Sequence, residues 1–208
     1  MKAEKTHSVL LEKLPPATTD YCFSLWKQTP FELKLTRSRQ TKVGDFTSRG
    51  SRAHPRITLN HDLNPYLFLA TYIHEVAHLH VYLKHGNRVD PHGDEWKRTF
   101  QILMAPLLQE NAFPAEILHE LRRHMANPKA SSFADTDLTK AFRLYDHNYQ
   151  QQVALSEIPE GSIFKLQGRY FSKGKLRRTR VICKEIKSKK NYLVPIDALV
   201  SDVQLSLL

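Results

Sequence analysis

The segment His74-Glu75-Val76-Ala77-His78 places two imidazoles four residues apart with a carboxylate between them. On a helix this spacing puts both rings on one face about one turn apart, where two nitrogens reach a single zinc ion at about 2.0 to 2.1 Å. Glu75, rotated about 100° from His74, leans over the open coordination position without filling it. Zinc lowers the pKa of its water towards about 7, and a carboxylate so placed takes the proton as the water attacks a carbonyl. The plainer alternative is two core histidines and a buried glutamate that fall at this spacing by chance. Eleven histidines make chance pairs less rare, but an unpaired glutamate on an apolar helix is expensive, and a metal relieves that expense.

A catalytic zinc wants a third protein ligand, and the downstream candidates are His80, His85, His92, Asp90, Asp94 and Glu95. His80 points to another face. His85 lies seven residues from His78, roughly 10 Å along the axis, too far to share the metal. His92 follows the turn at Gly86, where the chain can fold back, and stands at the start of the next helix. It is the favoured third ligand, with Asp90 and Glu95 as the alternatives.

Several elements must position these residues. Residues 65–85, PYLFLATYIHEVAHLHVYLKH, read as a long helix, apolar almost all round and therefore central, stopped by a glycine cap at Gly86. A helix beginning near His92 or Gly93 carries Trp96, Phe100, Ile102, Leu103 and Leu107 towards the core, with Asp94 and Glu95 in its first turn. Pro114 opens a third helix that ends before Pro128. Two amphipathic helices, 3–13 and 16–28, open the chain. Strand character follows at 31–36, 42–47 and 56–59, with a turn at Arg49-Gly50-Ser51-Arg52, and suggests a small antiparallel sheet.

The combination resembles the SprT-like family, whose members join H-E-x-x-H to a later histidine that opens a second helix, often followed by glycine and then an aromatic. The matching residues are His74, Glu75 and His78, then His92-Gly93-Asp94-Glu95-Trp96. The stretches 41–46, TKVGDF, and 57–60, ITLN, also look like the strands that precede the motif in that family, so the resemblance covers about residues 30–110. It implies an α+β, zincin-like protease domain, a Zn2+ cofactor and a protein substrate; in the eukaryotic relatives that substrate is DNA-associated. The site set is then His74, His78 and His92 for the metal and Glu75 for general-base catalysis.

Many relatives carry a four-cysteine zinc ribbon at the C-terminus, and here only Cys183 is present. The strand rhythm is nonetheless that of such a module: 163–166, 168–171, a turn at Ser172-Lys173-Gly174, 179–186 and 192–195. A core of Phe164, Leu166, Tyr170, Val181, Ile182, Ile186 and Val194 would replace the metal as the staple. Residues 162–192 hold eleven cations and one acid, which equals the whole net charge of +10. A polyanion partner would meet this end. DNA is the favoured partner, through phosphate contacts of Lys165, Arg169, Lys173, Lys175, Arg177, Arg178, Arg180 and Lys184 with little sequence preference. Tyr170, Phe171 and Tyr192 lie between these cations as stacking surfaces or as a small core. Acidic protein is the alternative partner. A second basic set, Arg37, Arg39, Lys42, Arg49, Arg52 and Arg56, extends the surface or protects a strand edge.

The expected organisation is a metalloprotease domain at 1–127, a linker with a short helix at 128–160, and a basic β-rich module at 161–208. Cys22 and Cys183, far apart and without C-x-x-C, read as two buried thiols. The apolar run near the start is too short for a signal peptide, and no segment reaches a membrane span, so a cytoplasmic protein is expected. His54, His61, His119, His124 and His147 have no partner at metal-binding spacing and read as packing or surface residues. The competing function is a nucleic-acid-associated or transcription-associated factor of the same fold without turnover. A third is a housekeeping peptidase with a substrate-binding tail.

Overall fold

A computed structural model describes residues 2–39, 42–48, 54–129, 135–146 and 152–204. Among them are six α-helices and two sheets, an α+β architecture. The chain divides into two units, residues 1–146 and 147–208, each with its own core. No helix among the described residues is long and apolar enough to cross a membrane.

The first unit opens with α1 (Lys2–Lys13). The helix expected at 16–28 is a 3-10 turn, Pro16–Thr18, that runs into α2 (Thr19–Gln28). Consecutive prolines bring no N–H donors, and the chain turns tightly instead, with both the amide and the hydroxyl of Thr18 donating to the Pro15 carbonyl. Three strands follow: β1 (Glu32–Thr36), β2 (Gly44–Thr47) and β3 (Arg56–Asn60). Their order is β1-β3-β2. Strand β3 pairs antiparallel with β2 but parallel with β1, so the sheet is mixed and not the expected antiparallel one. The reason is burial: Ile57 and Leu59 are fully enclosed and make β3 the central strand, with a neighbour on either side. The turn expected at 49–52 lies outside the described residues.

Helix α3 (Pro65–His85) has the expected boundaries. Asn64 caps its start, accepting from the Leu67 amide, and Pro65 occupies the first turn, where its missing donor is harmless. Gly86 closes it in the left-handed region (φ 62°) and donates to the Tyr82 carbonyl. Twelve of the helix's residues are buried, which makes it the axis of the unit. Against it pack α4 (Asp94–Met104), α5 (Ala115–Met125) and α6 (Thr136–Arg143), with Phe68, Tyr72, Trp96, Phe100, Phe113 and Phe142 as the largest enclosed side chains. Ile102, expected to face the core, is 71% exposed; the buried stripe of α4 is Trp96, Phe100, Leu103 and Met104.

Helix α6 belongs to this core and not to a linker. Leu138, Ala141 and Phe142 are buried in it, and the side-chain amide of Asn64 donates to the Phe142 carbonyl and to Asp146. The first unit therefore extends past residue 127 to 146.

In the second unit the sheet order is β4-β9-β5-β6-β7-β8, from β4 (Val153–Ala154), β5 (Ile163–Leu166), β6 (Arg169–Arg177), β7 (Arg180–Glu185), β8 (Asn191–Pro195) and β9 (Leu199–Gln204). The turn expected at 172–174 is absent: β6 runs through it, with a register shift between Lys173 and Leu176. Gly174 is there for space, since a Cβ would lie 2.7 Å from the Ile182 carbonyl oxygen. The reversal falls instead at Arg178, which adopts φ 53°. The core is Leu155, Ile158, Phe164, Phe171, Val181, Cys183, Val194 and Val200. Of the expected core, Tyr170 and Ile186 are exposed and Ile182 and Leu166 only half-buried, because Phe171 and Cys183 hold the inward positions of β6 and β7. Both cysteines are free and buried, as their isolation suggested.

Candidate metal centre

The i, i+4 spacing on α3 brings His74 and His78 together, with their Nε2 atoms 3.1 Å apart. The chain leaves α3 at Gly86, reverses, and presents His92 just before the Gly93 cap of α4, its Nε2 3.4 Å from that of His74. His74, His78 and His92 are the one group among the described residues with ligand atoms close enough to share a metal ion, all within 4.8 Å of one another. Of the other candidates, His80 is turned away and bonds Thr29 Oγ1 at 3.3 Å. Asp90, Asp94 and Glu95 are exposed.

Trp96 packs against all three rings, its centroid 4.6 Å from His74, 5.4 Å from His78 and 4.8 Å from His92. Phe100 backs His74 at 5.6 Å. These aromatics exclude water from one side of the cluster. Burial, followed by the proximity of the other imidazoles, holds His74 well below its ordinary basicity and lowers His78 to about 4; burial also lowers His92. The cluster therefore stays neutral at physiological pH and offers lone pairs.

This donor set fits a divalent metal. Ligands about 2.0 to 2.1 Å from a tetrahedral ion stand about 3.3 to 3.4 Å from one another, close to the two separations between nitrogens. No lysine or arginine intrudes among the residues lining the cleft next to the cluster except Lys42, whose ammonium is held by Asp45 at 2.8 Å.

Glu75 sits one residue off the histidine face and is only 6% exposed. Burial, reinforced by the Asp45 charge, raises its carboxyl to about 8, while the Phe46 backbone N–H, Arg39 and Lys42 pull the other way. Arg39 is itself fixed, its guanidinium donating to the Asn60 carboxamide oxygen and to Thr58. The cleft that exposes Glu75 and the histidines is about 700 Å³, bounded by β2, by Thr71 and Tyr82 of α3, and by the loop from Gly86 to His92.

Among the histidines expected to be packing or surface residues, one is buried and paired. His124, on α5, is 4% exposed and pairs with Asp135 at 3.3 Å. Its signal was weak, since the partner lies eleven residues away across a small, polar stretch. His61, His54 and His119 are exposed, and His147 lies outside the described residues.

In the second unit the eight nominated cations separate into two groups. Lys165 pairs with Asp202 at 3.1 Å, Arg169 pairs with Glu185 at 3.5 Å and stacks on Phe171 and Tyr192, and Lys173 donates to the Leu155 and Ile158 carbonyls. These three serve the module's own structure. Lys175, Arg177, Arg178, Arg180 and Lys184 are exposed on the β6–β7 hairpin and make no ion pair among the described residues. Of the second basic set, Lys42 and Arg56 pair with Asp45 and Glu32, Arg39 is half-buried and bonded to Asn60 and Thr58, Arg37 is exposed, and Arg49 and Arg52 lie outside the described residues.

Comparison with known proteins adds one finding. Residues 18–119 match the SprT-like family. No curated protein and no solved structure matches the chain.

Proposed function

Since residues 18–119 form a SprT-like domain, we propose that the chain is a zinc-dependent endopeptidase with a zincin-like catalytic unit. The observation that carries this reading is the convergence of the His74, His78 and His92 nitrogens beside a buried Glu75 at the wall of one cleft. Held by the three imidazoles, zinc would supply Lewis-acid activation of a water and of the scissile carbonyl.

The chain's own residues do the rest. Trp96 and Phe100 hold the imidazole rings in orientation and keep solvent off their rear face. Glu75, held at the cleft wall, receives the proton of the attacking water and passes it to the leaving amine. Its high proton affinity before metal binding marks a site shaped by burial, a common property of functional carboxylates. The Gly86–His92 segment and β2 form the two banks between which a polypeptide would lie.

The natural substrate class is protein associated with DNA, brought in by the β6–β7 hairpin. Five exposed cations with no acidic partner among the described residues support this reading: they are placed to meet phosphates, and the stacking contacts of Arg169 give the aromatics there a structural use. The test is zinc content together with cleavage of a DNA-bound protein, with and without single-stranded DNA, alongside Glu75→Gln. One zinc per chain, and cleavage that Glu75→Gln lowers by several orders of magnitude, are expected. Tight zinc and DNA binding without cleavage of any DNA-bound protein would instead mark a binding factor of the same fold.

A further inference from the structure

Glycine at position 44 is explained neither by a turn nor by backbone conformation. Among the described residues the glycines with positive φ are Gly86, Gly161 and Gly168, so Gly44 has a backbone that other residues adopt. What it lacks is room. A Cβ there would lie 2.6 Å from Glu75 Oε1, 2.6 Å from Thr71 Cγ2 and 3.0 Å from Glu75 Cγ. Bare backbone at this first residue of β2 lets the strand press directly on the glutamate turn of α3.

Two residues on, the Phe46 backbone N–H donates to the Glu75 carboxylate. That bond needs the close approach. Neither side can readily give way: Gly44 and Phe46 pair with Leu59 and Ile57 of β3, both fully buried. Thr71 is locked as well, its Oγ1 donating to the Leu67 carbonyl at 2.7 Å on a β-branched side chain with few rotamers. The movable part is the Glu75 carboxylate, and any Cβ at position 44 pushes on it first.

We infer that Gly44 is a positioning residue for Glu75: its missing side chain lets β2 approach α3 closely enough for the Phe46 N–H to hold the carboxylate in place at the cleft wall. The kinetic part of the test rests on the proposed endopeptidase activity; the structural part does not.

The experiment uses full-length, zinc-loaded Gly44→Ala and follows backbone amide exchange by NMR. The Phe46 amide should exchange at least about tenfold faster than in the parent protein, while the Asn60 amide, which donates to the Val43 carbonyl and reports the pairing of this segment with β3, keeps its protection and zinc stays at one per chain. Where a cleaved substrate is in hand, kcat should fall by about a hundredfold with KM within about threefold, the pattern of a misplaced catalytic group and not of lost binding. Thr71→Ser added to Gly44→Ala removes the Cγ2 contact and should restore part of both the Phe46 protection and kcat. Unchanged Phe46 exchange in a folded Gly44→Ala protein overturns the inference. So does joint loss of Phe46 and Asn60 protection, which would mean that the strand is merely detached. If Gly44→Ala does not fold, Glu75→Ala decides, since it leaves Gly44 in place: Phe46 exchange must rise without the carboxylate, and an unchanged rate refutes the hydrogen bond. Absence of proteolysis with the expected exchange pattern would count against the endopeptidase and leave the role of Gly44 standing.

Discussion

Unfolding the metal-free protein and its Glu75→Gln variant across pH isolates the energetic consequence of burying one carboxyl among apolar side chains. Burial raises Glu75 to about 8 from an ordinary value of 4.5. In the unfolded chain it ionises near the ordinary value, so the folded state binds the proton more tightly. The stability this brings is fully present below about pH 4.5 and is lost as pH rises to about 8. Each pH unit between them corresponds to ~1.4 kcal/mol, for a ceiling of about 5 kcal/mol. Glutamine keeps the shape and the acceptor for the Phe46 N–H but never ionises. The three histidines titrate in both proteins, so the difference between the two curves belongs to Glu75. With a chelator present, urea unfolding should find the two within about 1 kcal/mol at pH 5 and Glu75→Gln more stable by about 3 to 5 kcal/mol at pH 8.5. Zinc should shrink the gap, because a nearby cation favours the carboxylate. Parallel pH curves for the two metal-free proteins would refute the account of Glu75 as a carboxyl held neutral by its surroundings.

His92→Ala should lower bound zinc well below one per chain and His85→Ala should leave it unchanged, as measured by metal analysis after dialysis; full occupancy in His92→Ala would remove it as a ligand. DNA affinity should fall with salt at a log-log slope of roughly −3 to −5, as expected if about four to five cations meet phosphates, and neutralising Arg177, Arg178 and Arg180 together should flatten that slope. Lys173→Met should behave differently, leaving the salt slope nearly unchanged while destabilising the second unit by about 1 to 3 kcal/mol, because two buried carbonyls lose their donor; a thermal melt with unchanged midpoint would overturn this assignment.

The site was more legible than its frame. Helix α3 announces itself through local chemistry: an asparagine cap, a proline in the first turn, an unbroken apolar run and a glycine stop. His74 and His78 inherit their geometry from it, and the exclusion of His85 needs only the helical rise. Pairing between distant segments leaves no such trace. Strand β1 joins β3 in parallel across an intervening strand, and nothing in the residues of β1 marks that choice. In β6 the cue Ser172-Lys173-Gly174 reads as a turn, whereas the glycine answers the closeness of the neighbouring strand. The inward residues of β6 and β7 are Phe171, Val181 and Cys183, whereas Tyr170 and Ile182, also expected in the core, fall on the other face because side chains alternate along a strand. Gly44 is the same kind of residue: its reason stands across the cleft wall on another element.

The double use of Asn64 bears on where this protein can be cut. Its carboxamide oxygen caps α3, the helix that carries His74, Glu75 and His78, and its nitrogen is held by the Phe142 carbonyl and by Asp146, some eighty residues further on. The family match ends at residue 119, well short of that clasp. A fragment trimmed to the matched stretch would strip Leu138 and Phe142 from the core, bare the face of α5 they cover, and free the asparagine that starts the site helix. Proteolytic trimming or recombinant shortening of the chain should therefore yield a stable first unit only when the C-terminal boundary is placed beyond Asp146.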